Sequence, residues 1–225
     1  GKFISSDAYD RCVGLIPDLA GRSVWAGLDL ASVSDTTALV LIPEPLPGEP
    51  FYVIPYCWCP DDSITERTKK ERLPYWTWQK KGFIESIPGG VIKYDPILQK
   101  IGEIKSQYDL KGVCFDRWGS QKIIADLSDM NIEVIQMGQG YVSQAAPVAE
   151  LQRLILDQGI VFPENDLLKW QFSNLIAEQD SAGNKKFSKA KASDKIDLPV
   201  ALVMGLDAVV RNCGVTVAEP KVMWL

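Results

Sequence analysis

The chain contains no histidine. That absence removes imidazole acid–base work, serine–histidine–aspartate triads and histidine-ligated zinc. No G-x-x-x-x-G-K-[ST] segment occurs, so ATP hydrolysis by a Walker-type loop is not expected. No apolar run approaches the roughly 20 residues of a membrane span, and no charged-then-apolar leader precedes the first strand, so no secretory signal is expected. The first residue is Gly rather than Met, so a processed or excised fragment is expected. Cysteine is sparse. The five present (Cys12, Cys57, Cys59, Cys114, Cys213) are odd in number and lack zinc spacing. Cys114 lies in an apolar run and Cys57-Trp58-Cys59 alternates as a strand does, so they read as reduced packing residues of a cytosolic protein.

What is present is an ordinary globular composition over 225 residues, enough for one large domain with a real core. The formal net charge of −5 argues against a dedicated nucleic-acid-binding module. The charge is uneven, however. Lys185, Lys186, Lys189, Lys191 and Lys195 cluster against Asp194 alone between residues 181 and 195. Such clusters are usually solvated loops; the position just before Asp197 points instead to a substrate-facing role. Both readings stand at this level.

Along the chain, residues 1–22 read as a linker or lead-in, 23–212 as the domain, and 213–225 as a flexible tail. Apolar runs predict strands over 24–31, 37–42 and 51–58, an antiparallel meander interrupted by the proline-rich loop from Pro43 to Pro50. Ser63-Ile64-Thr65-Glu66 has the form of a capping box opening a helix. Asp95-Pro96 starts another helix. Lys111–Asp116 and Ile132–Gln136 read as buried parallel-type strands. Helices are expected over 120–128, 143–157, 166–178 and 198–211, with a hairpin-like turn at Asp180-Ser181-Ala182-Gly183-Asn184. Strands followed by alternating helices and strands predict an α/β mixed sheet, antiparallel meander plus parallel strands, with helices on both faces. In it Asp29 and Asp116 lie side by side.

Three aspartates stand out. Asp29 lies near the middle of Val24-Trp25-Ala26-Gly27-Leu28-Asp29-Leu30-Ala31, Asp116 closes Val113-Cys114-Phe115-Asp116, and Asp197 precedes an apolar helix. A buried carboxylate is costly unless it is paired or holds a metal. Each alone could cap a turn or a helix. Three together, delivered by two strands and a helix, suggest a divalent-metal site for phosphoryl transfer.

The residues Gly27-Leu28-Asp29-Leu30-Ala31 with Asp35-Thr36-Thr37, then Phe115-Asp116-Arg117-Trp118, then Asp194-Lys195-Ile196-Asp197-Leu198-Pro199 resemble the C-terminal nuclease domain of tailed-phage terminase large subunits, a ribonuclease-H-like fold. The resemblance runs over roughly 24–211. It implies a Mg²⁺- or Mn²⁺-dependent endonuclease that cuts concatemeric duplex DNA with two divalent ions. Asp29, Asp116 and Asp197 would be catalytic ligands. Asp194 falls where relatives often place a further polar or histidine ligand. Lys185, Lys186, Lys189, Lys191 and Lys195 would face DNA. The implied partners are double-stranded DNA, the packaging ATPase domain absent from this fragment, a small terminase subunit and a portal, in the host cytoplasm and with no membrane. Three alternatives remain: a resolvase or recombinase nuclease of the same fold, an actin-like ATP-binding fold suggested by the glycine and threonines near Asp29, and a portal-docking domain with vestigial acids.

Overall fold

The computed structural model describes residues 1–30, 34–116 and 121–213. In chain order the elements are α1 (Ser6–Asp10), β1 (Ser23–Asp29), β2 (Thr37–Pro43), β3 (Phe51–Tyr52), β4 (Ile54–Pro60), α2 (Asp61–Lys70), α3 (Tyr75–Lys80), β5 (Glu85–Ile87), α4 (Asp95–Gln107), β6 (Asp109–Asp116), α5 (Gln121–Asp129), β7 (Glu133–Met137), α6 (Tyr141–Leu156), β8 (Ile160–Val161), α7 (Asp166–Ser173), β9 (Ala177–Gln179), β10 (Lys185–Phe187) and α8 (Asp197–Asn212). The main sheet has six strands in the order β5-β4-β2-β1-β6-β7. β1, β2 and β4 form the antiparallel meander, while β6 and β7 join in parallel on the other side of β1. This is the mixed α/β architecture expected from the sequence.

The pleat sends successive side chains to opposite faces. Val24, Ala26, Leu28, Val113 and Phe115 pack with the α4 and α5 side. Trp25, Val40, Ile42 and Cys114 pack with α8, α6 and α7. α8 is the central helix. Its residues from Asp197 to Val209 are all buried, which is why this stretch is apolar all round rather than on one stripe. Backbone meets backbone where α8 crosses β1: a Cβ on Gly27 would fall 1.8 Å from the Ala201 carbonyl oxygen.

Several expectations shift. The third strand, predicted unbroken over 51–58, divides at Val53: β3 leaves the sheet to pair with β8, and β4 completes the meander. The capping box does not form. α2 begins at Asp61, and the Ser63 hydroxyl donates to the Ser34 carbonyl instead, 2.7 Å away. Acidic Asp61 and Asp62 already complement that helix start. α7 ends at Ser173, five residues before the expected end, because Ala177–Gln179 pairs as β9 with β10. Residues 1–22 carry α1, and Phe3, Tyr9, Cys12 and Leu19 are buried. The tail expected after residue 213 lies outside the described residues. Among the described residues no helix is long and apolar enough to cross a membrane.

Candidate active site

Asp29 ends β1 on the face shared by Trp25 and Gly27, toward α8. Alternation places Asp116 with Cys114 on that same side of β6. The parallel register pairs Leu28 with Phe115, and each strand runs one residue further, to Asp29 and Asp116. Adjacent strands lie about 4.8 Å apart. Asp197 arrives from a third direction, as the first residue of α8, where a helix N-terminus favours negative charge. Asp29 and Asp197 are 6% and 7% exposed; Asp116 is half-buried at the edge of the described β6 segment.

Two buried carboxylates need a counter-charge. Lys189 supplies it: its Nζ donates to Asp29 Oδ2 at 2.7 Å and lies 3.6 Å from Asp197 Oδ1. Burial is the strongest influence on the Asp29 carboxyl and pushes its pKa up; the Lys189 ammonium pulls it down and Asp197 pushes it up again, leaving it raised to about 7. For Lys189, burial opposes the charge, but Asp29 and then Asp197 outweigh it, so its pKa is raised. The Thr36 hydroxyl donates to Asp197 Oδ2. Asp197 is therefore fixed by the β1–β2 turn as well as by its helix.

The other expected site residues are placed differently. Asp194 accepts from Arg67 Nη1 at 3.1 Å and from the Lys195 backbone N–H at 2.8 Å. Lys195 pairs with Asp35. Lys186 and Lys191 both pair with Glu178, at 3.8 and 3.1 Å, and Lys185 donates to Gln152 at 2.9 Å. Of the five lysines, Lys189 alone touches the buried acids. Among the described residues no group of three or more His, Cys, Asp or Glu is arranged to hold a metal ion: Asp29 and Asp197 come together around Lys189, and Asp116 stands at the end of the adjoining strand.

Thr36, Asp35 and Arg67 bear on the site without having been among its expected residues. The first two lie in the Asp35-Thr36-Thr37 segment, which carries part of the resemblance but was given no role in the site. Arg67 had no signal, because its partner Asp194 is 127 residues away. A cleft of ≈ 690 Å³ has Asp197, Lys189, Lys195 and Asp35 in its wall together with Arg67 of α2 and Glu71 just beyond that helix. Its donors are carboxylate and hydroxyl oxygens, the set that hard divalent cations prefer. The cation place between the two carboxylates is filled by an ammonium.

The family model for the terminase large subunit endonuclease domain matches residues 1–212. The chain belongs to this family. It is 33% identical over 208 residues to the terminase large subunit of Enterobacteria phage HK97, covering 92% of this chain and 41% of that protein. The terminase nuclease chain thus spans about two fifths of its curated relative. The crystal structure of the HK97 large terminase superposes with a TM-score of 0.84 at 32% identity, over 92% of this chain and 43% of that one. The large terminase nuclease of thermophilic phage G20c shares the fold, with a TM-score of 0.58 at 11% identity over 94% and 98% of the two chains. A second G20c structure, with bound magnesium, gives 0.58 at 10% identity over 89% and 94%.

Proposed function

We propose that this terminase nuclease domain is a Mg²⁺- or Mn²⁺-dependent endonuclease that cuts concatemeric duplex DNA by two-metal phosphodiester hydrolysis. The observation that carries the reading is the buried Asp29–Asp197 pair bridged by a cation at the wall of a cleft. Asp29 and Asp197 would hold one ion, and Asp116, on the same face of the neighbouring strand, would complete the set for two. When bound, such ions lower the pKa of an attacking water and offset charge on the leaving oxygen.

The chain's own residues prepare that chemistry. Thr36 holds the Asp197 carboxylate toward Asp29. Lys189 balances the two acids and, given up by them, presents its ammonium to the scissile phosphate. Lys195 braces the β1–β2 turn through Asp35. Asp194, drawn to Arg67, anchors the loop leading into α8, and we assign it that role in place of direct ligation. Lys185, Lys186 and Lys191 would meet DNA only by leaving their present partners. In the full protein, the domain would act with a packaging ATPase domain, a small terminase subunit and a portal, in the host cytoplasm.

Incubation with supercoiled plasmid tests the reading. Nicked and linear products are expected with Mn²⁺ or Mg²⁺ and none in EDTA. Asp29→Asn and Asp197→Asn are each expected to slow cleavage by two or more orders of magnitude, about 3 kcal/mol or more of barrier. Cleavage that survives EDTA would end the metal mechanism, and near-normal rates in either variant would remove that residue from the site.

A further inference from the structure

The cleft reaches α2, and what lies beyond it there is strongly basic. Between residues 67 and 81, Arg67, Lys69, Lys70, Arg72, Lys80 and Lys81 face a single acid, Glu71, in a chain whose net charge is −5. Three of these cations are already paired: Arg67 with Asp194, Lys70 with Glu66 and Lys81 with Asp166. Lys69, Arg72 and Lys80 are exposed and have no carboxylate partner among the described residues. The Lys69 ammonium stands 5.9 Å from the ring of Trp76, which is itself 47% exposed, so the ring gives the charge a platform facing solvent.

This corner contrasts with the hairpin lysines. Lys185, Lys186 and Lys191 must break an existing contact before they meet a phosphate, whereas Lys69, Arg72 and Lys80 break no ion pair. The corner is also close to the site. Arg67 lines the cleft, and Arg72, five residues on, is at most about 17 Å away along the chain. That is about half a turn of B-DNA.

Resting on the nuclease reading of the cleft, we infer that the α2–α3 corner is a second DNA contact, in which Lys69, Arg72 and Lys80 bind backbone phosphates of the duplex flanking the bond to be cut. The contact is to phosphate alone, so it is independent of sequence and adds grip without adding base preference. It holds the flank while the buried acids work on one phosphate.

The test is DNA binding in EDTA, where no cleavage intervenes, read by fluorescence anisotropy on a duplex of about 30 base pairs, roughly three helical turns. The 225-residue chain is compared with Lys69→Ala/Arg72→Ala/Lys80→Ala and with Lys93→Ala/Lys105→Ala/Lys111→Ala. The second triple removes equal charge from exposed positions outside α2 and α3. Each phosphate contact contributes about 0.9 to the slope of log affinity against log salt, so three contribute about 2.7. Over a fourfold rise in salt the wild type should lose about 40-fold more affinity than the corner triple. The control triple should keep the wild-type slope.

An unchanged slope in the corner triple would overturn the proposal and return the corner to a solvated surface or an acidic protein partner. Equal losses in both triples would overturn it as a mere effect of net charge. A wild type that does not bind the duplex would overturn it together with the DNA reading. Plasmid cleavage in Mn²⁺ reports separately on the nuclease site.

Discussion

Replacing Gly27 with alanine puts one methyl group where no atom fits. The new Cβ would stand 1.8 Å from the Ala201 carbonyl oxygen and 2.6 Å from the Gly205 backbone nitrogen. A carbon and a carbonyl oxygen rest at about 3.3 Å or more, so α8 would have to retreat by about 1.5 Å. Overpacking costs about 1–3 kcal/mol. Both obstacles are backbone and neither can swing aside, which places this case at the upper end, about 3 kcal/mol. For a domain of this size 1 kcal/mol shifts Tm by about 2–4 °C, giving a fall of about 6–12 °C. The retreat also carries Asp197, one helical turn before Ala201, away from Asp29, which stays on its strand. Thermal melts with and without Mn²⁺ read both effects: a lower Tm and a smaller gain from the ion. Gly205→Ala is the comparison. Its Cβ meets the Gly27 nitrogen at 3.0 Å and the Val40 carbonyl at 3.3 Å, and the helix gains about 1 kcal/mol of propensity, so the loss should be less than half as large. A Gly27→Ala protein melting within about 2 °C of the wild type would refute the close approach of β1 and α8.

Lys189→Met keeps the stem but removes the charge between two buried carboxylates. The metal-free protein should melt lower while Mn²⁺ binds several-fold more tightly by calorimetric titration; weaker Mn²⁺ binding would show that the ammonium does not occupy the ion's place. Protons should also compete with the ion. Because the Asp29 pKa is raised to about 7, the carboxyl is largely neutral below that value. Mn²⁺ should therefore stabilise the protein more at about pH 8 than at about pH 6. In the absence of metal the sign is opposite: the native state retains a proton that the unfolded chain releases above about pH 4, so this group's contribution to stability is lost as pH rises toward 7. A flat pH response of the Mn²⁺ shift would rule the group out. Thr36→Val deletes the donor to Asp197 without changing side-chain shape. Leaving that buried acceptor short costs about 1–3 kcal/mol, and cleavage should fall about tenfold or more, with Thr36→Ser restoring it; full activity in Thr36→Val would make the hydroxyl incidental.

The central sheet was legible because its strands are buried on both faces and so read as unbroken apolar runs from Val24 to Leu28 and from Val113 to Phe115. α8 was legible for the same reason. Periodicity could not show that Val53 divides one apolar run between two sheets, since the partner of β3 is a strand more than a hundred residues later. Local cap chemistry at Ser63 lost to a tertiary hydrogen bond for the same kind of reason. At the site, Asp116 at a strand end and Asp197 at a helix start could be read directly, whereas Asp29, expected within a strand over 24–31, stands at the end of β1. The lysine cluster announced its charge but not its assignments. Which lysine turns inward toward Asp29 depends on how residues 188–196 cross the end of β1, and nothing local distinguishes Lys189 from Lys186.

Because Thr36 and Asp197 are 161 residues apart in the chain, the order of synthesis separates the acids in time. A ribosome that has released β1 and β6 has made Asp29 and Asp116, while Asp197 and the helix that presents it are still to come. Contacts of such long range form late. A half-made or locally unfolded chain therefore holds Asp29 and Asp116 without Asp197, and the three acids meet only when the last helix has docked on the sheet.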